Sequence, residues 1–158
     1  MAYVKIAEGT YPYEEDVIKA MYYIADLSKC KSLVYGGCNV ISSILEDPYG
    51  MAEQFLLMQS RKKRSRRLYH LIVSLDYSVD DASLELADKV AGMVTSMYPD
   101  YQSVFVVHED KRDYLHIHII FNNCPLDTGK KNLSYYFHIY AVSDRVENMV
   151  IDYINRHH

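Results

Sequence analysis

The sequence lacks any long apolar run, which excludes a membrane-spanning helix of about 20 consecutive apolar residues. Its first ten residues, MAYVKIAEGT, lack the basic and apolar regions of a signal peptide. Its cysteines are odd in number, widely separated and without a Cys-x-x-Cys pair: Cys30, Cys38 and Cys124. That spacing argues against a disulfide framework or a cysteine zinc site. We therefore expect a cytoplasmic protein with no membrane contact.

The composition is that of an ordinary globular chain, with 49% hydrophobic and 24% charged residues. A length of 158 residues suffices for one domain with a real core, but not for two comfortable ones. No internal repeat, low-complexity tract or linker interrupts it. We expect residues 1–158 to form a single domain, either the catalytic part of a longer protein or a small protein that stands alone.

The charge is unevenly distributed. The net charge is −4, yet six of the 17 Lys and Arg residues lie within one heptapeptide. These six are Arg61, Lys62, Lys63, Arg64, Arg66 and Arg67. Local charge, rather than the total, sets the field that phosphates meet. The run predicts a grip on nucleic acid, with a solvated helix end as the alternative of about equal weight.

The hydrophobic pattern predicts an α+β domain with an antiparallel sheet and helices segregated on one side. Helical spacing predicts helices over 14–27, from Asp47-Pro48 into the basic run, over 80–97, and from Ser143 onward. Runs of β-forming residues predict strands over 3–7, 68–77, 101–108 and 114–121. Residues 33–40 contain Gly36-Gly37 and are left open between loop and strand.

The segment VVHEDKRDYLHIHIIFNN carries the most informative residues. Side chains alternate between the faces of a strand, so His116 and His118 point the same way. A three-residue turn over 111–113 would pair His108 with His116, and Asp110 with Tyr114. Directly opposed residues have Cβ atoms about 5 Å apart. Three neutral imidazoles on one face favour a divalent transition metal with positions left for water or substrate.

Other residues near this hairpin have weaker signals. Asp110 is a candidate ligand or ligand-orienting group, whereas Glu109 is expected on the opposite face. His70 lies in a strand that could neighbour the hairpin. An isolated His-x-His pair is more often simply packed or half-exposed. The pairing with His108 is what favours a metal site.

The sequence resembles the relaxase/mobilisation nucleases of conjugative elements, which belong to the HUH-type single-strand endonucleases. HEDKRDYLHIHIIFNN is similar to their three-histidine motif. YHLIVSLDY resembles their strand before the long helix. KAMYYIADLSKC resembles their N-terminal motif, in which a helix carries a nucleophilic tyrosine a few residues before a lysine. Thr128-Gly129-Lys130 also fits, so the resemblance covers most of the chain in the right order.

The resemblance implies a function. It implies metal-dependent nicking of single-stranded DNA at an origin of transfer, through a 5′-phosphotyrosine link that leaves a free 3′-OH. Mn²⁺ or Mg²⁺ is the expected ion, with Zn²⁺ or Ni²⁺ as alternatives, and relaxosome accessory proteins are expected partners. His108, His116 and His118 would hold the metal, and Asp110 would assist catalysis. The expected DNA contacts are the basic run, Lys29, Asn122 and Lys130. Asn122 has a turn-forming role as an equal alternative.

Two adjacent tyrosines compete for the role of nucleophile. Tyr23 lies at the edge of the apolar stripe of its predicted helix, whereas Tyr22 lies on the far side. The family motif also puts the nucleophile immediately before the apolar residue that is Ile24 here. A tyrosine has a pKa of about 10, so ionising it at neutral pH costs about 4 kcal/mol. A nearby divalent cation offsets part of that cost. Tyr23 is our prediction, with Tyr22 as the alternative.

Three alternative functions remain at this stage. A rolling-circle replication initiator shares the chemistry, but such enzymes have their tyrosine after the histidines rather than before them. An accessory DNA-binding module without catalysis is the second, because Ala-Asp-Leu-Ser replaces the usual Asn-Pro-Glu before Lys29. A structural metal-binding protein is the third, and it would leave the basic run and the tyrosine helix without a purpose.

Overall fold

The computed structural model describes residues 2–60, 66–77, 80–111 and 114–156, without the side chains of residues 110 and 111. In these residues five strands form one antiparallel sheet in the order β1-β3-β5-β4-β2. The strands are β1 (Ala2–Ile6), β2 (Tyr35–Cys38), β3 (Leu68–Leu75), β4 (Tyr101–Lys111) and β5 (Tyr114–Pro125). The helices are α1 (Glu14–Ile24), α2 (Pro48–Gln59), α3 (Asp81–Ser96), α4 (Leu133–Tyr136) and α5 (Ile139–Arg156). The predicted α+β class is confirmed.

The helices cover both faces of the sheet, whereas the sequence analysis expected them on one side. Helices α3 and α5 pack on the face that carries Ile117 and Ile119. Helices α1 and α2 pack on the opposite face, against Val106 and Ile120. The central strand β5 is therefore buried on both sides. A strand in that position has a nearly continuous apolar run rather than an alternating one. The run over 117–121 is the signal for two helical layers.

Helix α1 is fixed at both ends by local hydrogen bonds. At its start, Asp16 Oδ2 accepts from the backbone N–H of Tyr13 at 2.9 Å, and acidic residues in the first turn suit the positive end of the helix dipole. At its end, the Ala25 N–H bonds to the Met21 carbonyl. The helix ends at Ile24, three residues before the predicted end at Leu27, which is exposed. This shorter helix leaves a loop before β2.

The undecided segment over 33–40 contains the edge strand β2, which pairs with β4. Its glycines permit a close approach between the two strands. A Cβ on Gly37 would come within 2.9 Å of the Ser103 carbonyl oxygen and 2.7 Å of the Val40 side chain. Such contacts are too short for any residue with a side chain. The Gly36-Gly37 pair is therefore compatible with a strand at this position.

The β4–β5 hairpin contains a bulge that the sequence analysis did not predict. His108 pairs with His116, but Lys111 pairs with Tyr114, so β4 has one extra residue between the two pairs. The predicted pairing of Asp110 with Tyr114 is therefore wrong. A bulge of this kind absorbs the extra residue and redirects side chains locally. The odd length of the histidine motif is accommodated there.

The last part of the chain also differs from its prediction. Helix α5 begins at Ile139 rather than Ser143, and its first turn has bonds from the Ala141 and Val142 N–H groups to the His138 carbonyl. The added turn buries Val142 in line with Val146. In the described part of the chain, no helix is both long and apolar enough to cross a membrane.

The buried Tyr101 generates a prediction about alkaline stability. Its hydroxyl donates to the Lys131 carbonyl at 2.6 Å, and burial raises the pKa of Tyr101 to about 12. An unfolded tyrosine titrates near pH 10. The resulting stabilisation is therefore complete below pH 10 and is lost as the pH rises towards 12.

We predict that raising the pH from 8 to 11 removes about 1 kcal/mol more unfolding free energy from the wild type than from Tyr101→Phe. Urea denaturation at the two pH values measures this difference. Equal losses in the two proteins would contradict the assignment to Tyr101.

Candidate active site

Two neighbouring strands position the three histidines of the predicted metal site. His108 on β4 lies opposite His116 on β5, so the predicted register is confirmed. His118 lies two residues farther along β5, opposite Val106 of β4 and Ile72 of β3. Because alternate residues of a strand share a face, His116 and His118 belong to the face that α1 covers.

A fourth histidine joins this group from the neighbouring strand β3. The Nε2 atom of His70 lies 2.8 Å from the Nδ1 atom of His118, within a hydrogen bond, and the two ring centroids are 5.1 Å apart. The centroid of the His108 ring lies 4.1 Å from that of His118. His70 is not among the site residues predicted from the sequence. Its Tyr-His context in the strand before the long helix was the available signal.

His116 lies at the side of this cluster and is only half-buried. Its ring is 6.4 Å from the ring of Tyr114, in a stacked orientation. It is also one of the groups whose charge lowers the pKa of His118. The histidines in closest mutual contact are therefore His70, His108 and His118, rather than the three of the motif.

The hydrogen bonds constrain which ring nitrogens carry protons. His108 Nε2 lies 2.9 Å from the carbonyl oxygen of Ile24. A carbonyl only accepts, so His108 Nε2 donates, and in the neutral ring Nδ1 keeps its lone pair. If His118 donates from Nδ1 to His70, its Nε2 atom likewise keeps a lone pair. In that tautomer His108 and His118 each have one nitrogen able to bind a metal.

Burial keeps the inner histidines neutral. Desolvation, with a smaller contribution from His108, lowers the pKa of His70 to about 4. Desolvation is also the main reason that the pKa of His118 is lowered to about 2, with neighbouring histidines and Lys29 acting in the same direction. Neutral imidazole is the form that binds divalent transition metals. His70 and His118 are thus in the required protonation state at neutral pH.

Tyr23 of helix α1 lies over the histidine cluster. The centroid of its ring is 5.6 Å from that of His118 and 6.1 Å from those of His70 and His108. The side chain remains about half-exposed, so it is accessible to a large substrate. Tyr22 has similar exposure, but its side chain leaves the helix in a different direction, because adjacent helical residues are about 100° apart. The structure brings Tyr23 to the predicted site.

Strand β4 also anchors the segment that follows the tyrosine. The bond from His108 Nε2 to Ile24 joins β4 to the end of α1. The next residue, Glu109, donates its backbone N–H to the Lys29 carbonyl at 2.6 Å. Lys29 Nζ lies 5.1 Å from the centroid of the Tyr23 ring. This ammonium group therefore lies beside the tyrosine.

Glu109 has a role that the sequence analysis missed. Its Oε2 atom accepts from the Ser32 N–H at 2.6 Å, and its Oε1 atom accepts from the Ser32 hydroxyl at 2.9 Å. These bonds hold the loop between α1 and β2, which includes Lys29. The extra residue in the hairpin was the signal that could have indicated this role. It forms a bulge next to Glu109, and a bulge breaks the simple alternation of side chains along a strand. The side chain of Asp110 lies outside the described part of the structure.

The family model described as Relaxase, MobA/VirD2-like, nuclease domain matches residues 23–152. The chain belongs to this relaxase family. The match covers 130 of the 158 residues and includes the tyrosine, the four histidines, helices α2 to α4 and most of α5. No curated protein matches the chain. Relaxase nuclease domains nick DNA during mobilisation and bind single-stranded DNA at an origin of transfer, which supports the same general activity here.

Relaxases of this family are generally dependent on a divalent metal. Among the side chains that the structure describes, no three His, Cys, Asp or Glu are arranged to hold a metal ion. The chemistry of the donors does fit, because the relaxase domain gathers four imidazoles, and burial keeps those of His70 and His118 neutral.

Part of the predicted DNA grip of the relaxase domain is described. Arg61, Lys62, Lys63 and Arg64 lie outside the described residues. The guanidinium of Arg67 donates to the Pro12 carbonyl at 2.8 Å and to Gln59 Oε1 at 3.0 Å. Arg66 donates to the Leu68 carbonyl and lies over the ring of Tyr69. These contacts of Arg66 and Arg67 therefore stabilise the local structure.

The structure contradicts the predicted role of Asn122 in a DNA contact or a turn, because its side chain is buried in the interior. Its Nδ2 atom donates to the Phe55 carbonyl and to Gln102 Oε1, at 3.1 and 2.9 Å. Its Oδ1 atom accepts from Gln59 Nε2 and from the Cys124 N–H. Both ends of the amide are thus used in joining β5 to α2 and β4. This is the expected arrangement for a buried amide.

Lys130 follows β5 at the end of the sheet away from the histidines. It forms an ion pair with Asp100 at 3.1 Å. Pro125, five residues earlier, is seven residues beyond His118, which corresponds to about 23 Å along a strand. A contact between Lys130 and DNA would therefore lie far from the candidate active site.

The bonds of Glu109 generate a prediction about the loop that carries Lys29. We predict that Glu109→Ala lowers the unfolding free energy by about 1–2 kcal/mol, because hydrogen bonds to a charged acceptor are lost at a partly exposed site. Urea denaturation measures this change. The control is Glu85→Ala, which removes an exposed ion pair with Lys89 and should cost less than about 0.5 kcal/mol. Equal costs would contradict the anchoring role.

Proposed function

We propose that this relaxase domain cuts and rejoins one strand of DNA at an origin of transfer, with Tyr23 as the nucleophile. The observation that carries the proposal is the ring of Tyr23, 5.6–6.1 Å from three histidine rings. No other tyrosine of α1 has this environment among the described contacts. We further propose that the domain acts in the cytoplasm, together with relaxosome accessory proteins.

The proposed reaction is a transesterification at phosphorus. The Tyr23 oxygen forms a bond to the scissile phosphorus, and the bond from phosphorus to the 3′ oxygen breaks. The tyrosine proton is lost to a base, and the leaving 3′ oxygen takes up a proton. The product is a 5′-phosphotyrosine link and a free 3′-OH. Because the phosphodiester is kept as an ester, the reverse reaction rejoins a strand without an external energy source.

The residues around Tyr23 suit this reaction. The Lys29 ammonium lies next to the ring and would counter the negative charge of the phosphate. The anchoring of α1 to β4 through His108 would hold the backbone beside Tyr23 in a fixed position. Holding a nucleophile in place lowers the entropic cost of attack.

We propose that His108, His116 and His118 hold the divalent ion, with His70 orienting His118. When bound, the ion would polarise the scissile phosphate and stabilise the charge that develops on it. The bond between His70 and His118 is typical of a group that fixes the tautomer of a metal ligand. Asp110 remains a proposed assisting residue on the basis of the sequence alone. Mn²⁺ or Mg²⁺ is the proposed ion, with Zn²⁺ or Ni²⁺ as alternatives.

The metal assignment is tested by thermal unfolding with increasing Mn²⁺. Wild type should be stabilised, by about 2.7 kcal/mol at 100 times the Kd. His116→Ala should lose this stabilisation, because a ligand is removed. His70→Gln should keep it with an affinity that falls by about 10- to 100-fold, as for an orienting residue. If His70→Gln loses as much as His116→Ala, His70 is itself a ligand. No stabilisation of wild type by Mn²⁺, Mg²⁺, Zn²⁺ or Ni²⁺ would contradict the metal site.

The nucleophile is tested by incubation with a panel of labelled single-stranded origin oligonucleotides and Mn²⁺ or Mg²⁺. Wild type should form a covalent adduct visible on a denaturing gel, and mass mapping should locate it on Tyr23. Tyr23→Phe should bind DNA and form no adduct, because only the attacking oxygen is removed. Tyr22→Phe is the matched control and should stay within about twofold of wild type, as is usual for an exposed hydroxyl.

Two outcomes would change the proposal. An adduct on Tyr22 would reverse the assignment of the nucleophile. Binding of DNA by wild type without an adduct on any substrate would favour the accessory DNA-binding module. The family match favours a relaxase over a rolling-circle initiator.

A further inference from the structure

A cavity of about 370 Å³ opens beside the candidate nucleophile. Its lining includes Ala7, Tyr11, Asp16, Lys19, Tyr23 and His70. Of these residues, His70 belongs to the histidine cluster, and Tyr23 lies over that cluster. A group bound in this cavity would therefore be a direct neighbour of the reacting phosphate. The proposed function has so far given this cavity no role.

The loop between β1 and α1 holds an aromatic ring at the cavity. Tyr11 has a φ of +53°, in the left-handed region that residues with a side chain seldom adopt. The residues before and after Tyr11 in the sequence are both hydrogen-bonded to Arg67, the last residue of the basic run. The Arg67 N–H donates to the Thr10 carbonyl at 3.3 Å, and Arg67 Nε donates to the Pro12 carbonyl at 2.8 Å. These bonds stabilise an unfavourable backbone conformation and fix the ring of Tyr11 at the cavity.

The lining combines the groups that a nucleotide needs. The Tyr11 ring offers a face for stacking, and the exposed Lys19 offers a cation for a phosphate. Asp16 contributes a carboxylate that accepts one bond from the Tyr13 N–H, and a carboxylate has further acceptor positions. Such a carboxylate suits a base that carries an amino group.

The size of the cavity limits its occupant. Sites for small ligands commonly enclose about 300–1,000 Å³, and this cavity is at the lower end. It therefore suits one nucleotide rather than two stacked ones. A base in the cavity would have to leave the stack of its own strand, which is least costly in single-stranded DNA.

We propose that this cavity binds one unstacked nucleobase of the DNA strand, next to the phosphate that Tyr23 attacks. Tyr11 stacks on the base, Asp16 accepts from its amino group, and Lys19 contacts its phosphate. The site contributes to the choice of the nick position, because a strand without a suitable base at that point is bound less well. This inference rests on the proposed nicking function.

The test combines a protein variant with a change in the DNA. The oligonucleotide that forms the adduct with wild type is resynthesised with a single abasic residue at each position around the nick. Affinities are measured by fluorescence anisotropy in a Tyr23→Phe background, which keeps the strand uncut. One position should lose about 5- to 100-fold in affinity, which is the size expected for a lost stacking contact.

The decisive comparison uses Tyr11→Gly in the same background, because glycine adopts a positive φ without strain. This variant should bind the intact strand more weakly, and the abasic residue at that one position should cost nothing further. Tyr11→Phe keeps the ring and should retain the full abasic loss. Tyr140→Ala removes an exposed tyrosine of α5, on the other face of the sheet, and should also retain it. If Tyr11→Gly does not fold, Tyr11→Asn replaces it, since asparagine also tolerates this conformation.

The outcomes separate this inference from the function on which it rests. If adducts form on Tyr23 but the abasic residue still lowers the DNA affinity of the Tyr11→Gly protein, the cavity does not hold that base. If no abasic position lowers the affinity of the Tyr23→Phe protein, the inference is also overturned while nicking stands. If no oligonucleotide gives an adduct with wild type, the proposed function fails and this inference fails with it.

Discussion

The bond from His108 to the Ile24 carbonyl joins the two halves of the candidate site. One end of this bond lies on a central strand of the sheet, and the other lies at the last turn of the helix that carries Tyr23. Since β4 pairs with strands on both sides, it is a rigid support. The same strand holds the loop with Lys29 through the backbone of Glu109. The tyrosine, the lysine and His108 are thus held by β4, and the pairing of β4 with β5 brings the other histidines beside them.

The histidine cluster shows why burial and chemistry are linked in this fold. A cluster of charged imidazoles on a covered face would repel one another and would lack water. Covering the sheet with α1 and α2 therefore favours the neutral form, as the lowered pKa of His70 and His118 indicates. The neutral form is also the one with lone pairs for a cation. The packing that stabilises the fold prepares these rings for binding.

The sequence predicted what depends on local spacing and missed what depends on distant pairing. The register of His108 with His116 followed from alternation along one hairpin, and it is confirmed. The contact between His70 and His118 required knowledge that β3 pairs with β5, which no spacing within either strand contains. The role of Glu109 depended on a bulge. Asn122 was misread because a polar residue near a strand end looks the same whether it is buried or exposed.

The junction between α1 and β4 also determines how the domain would bear a load. A DNA strand joined to Tyr23 would pull on the last turn of α1, one residue from Ile24. Besides the covalent chain, the bond between the Ile24 carbonyl and His108 would carry part of any tension to β4, which is paired on both sides. The tyrosine is thus attached close to a point where α1 is tied to the centre of the sheet.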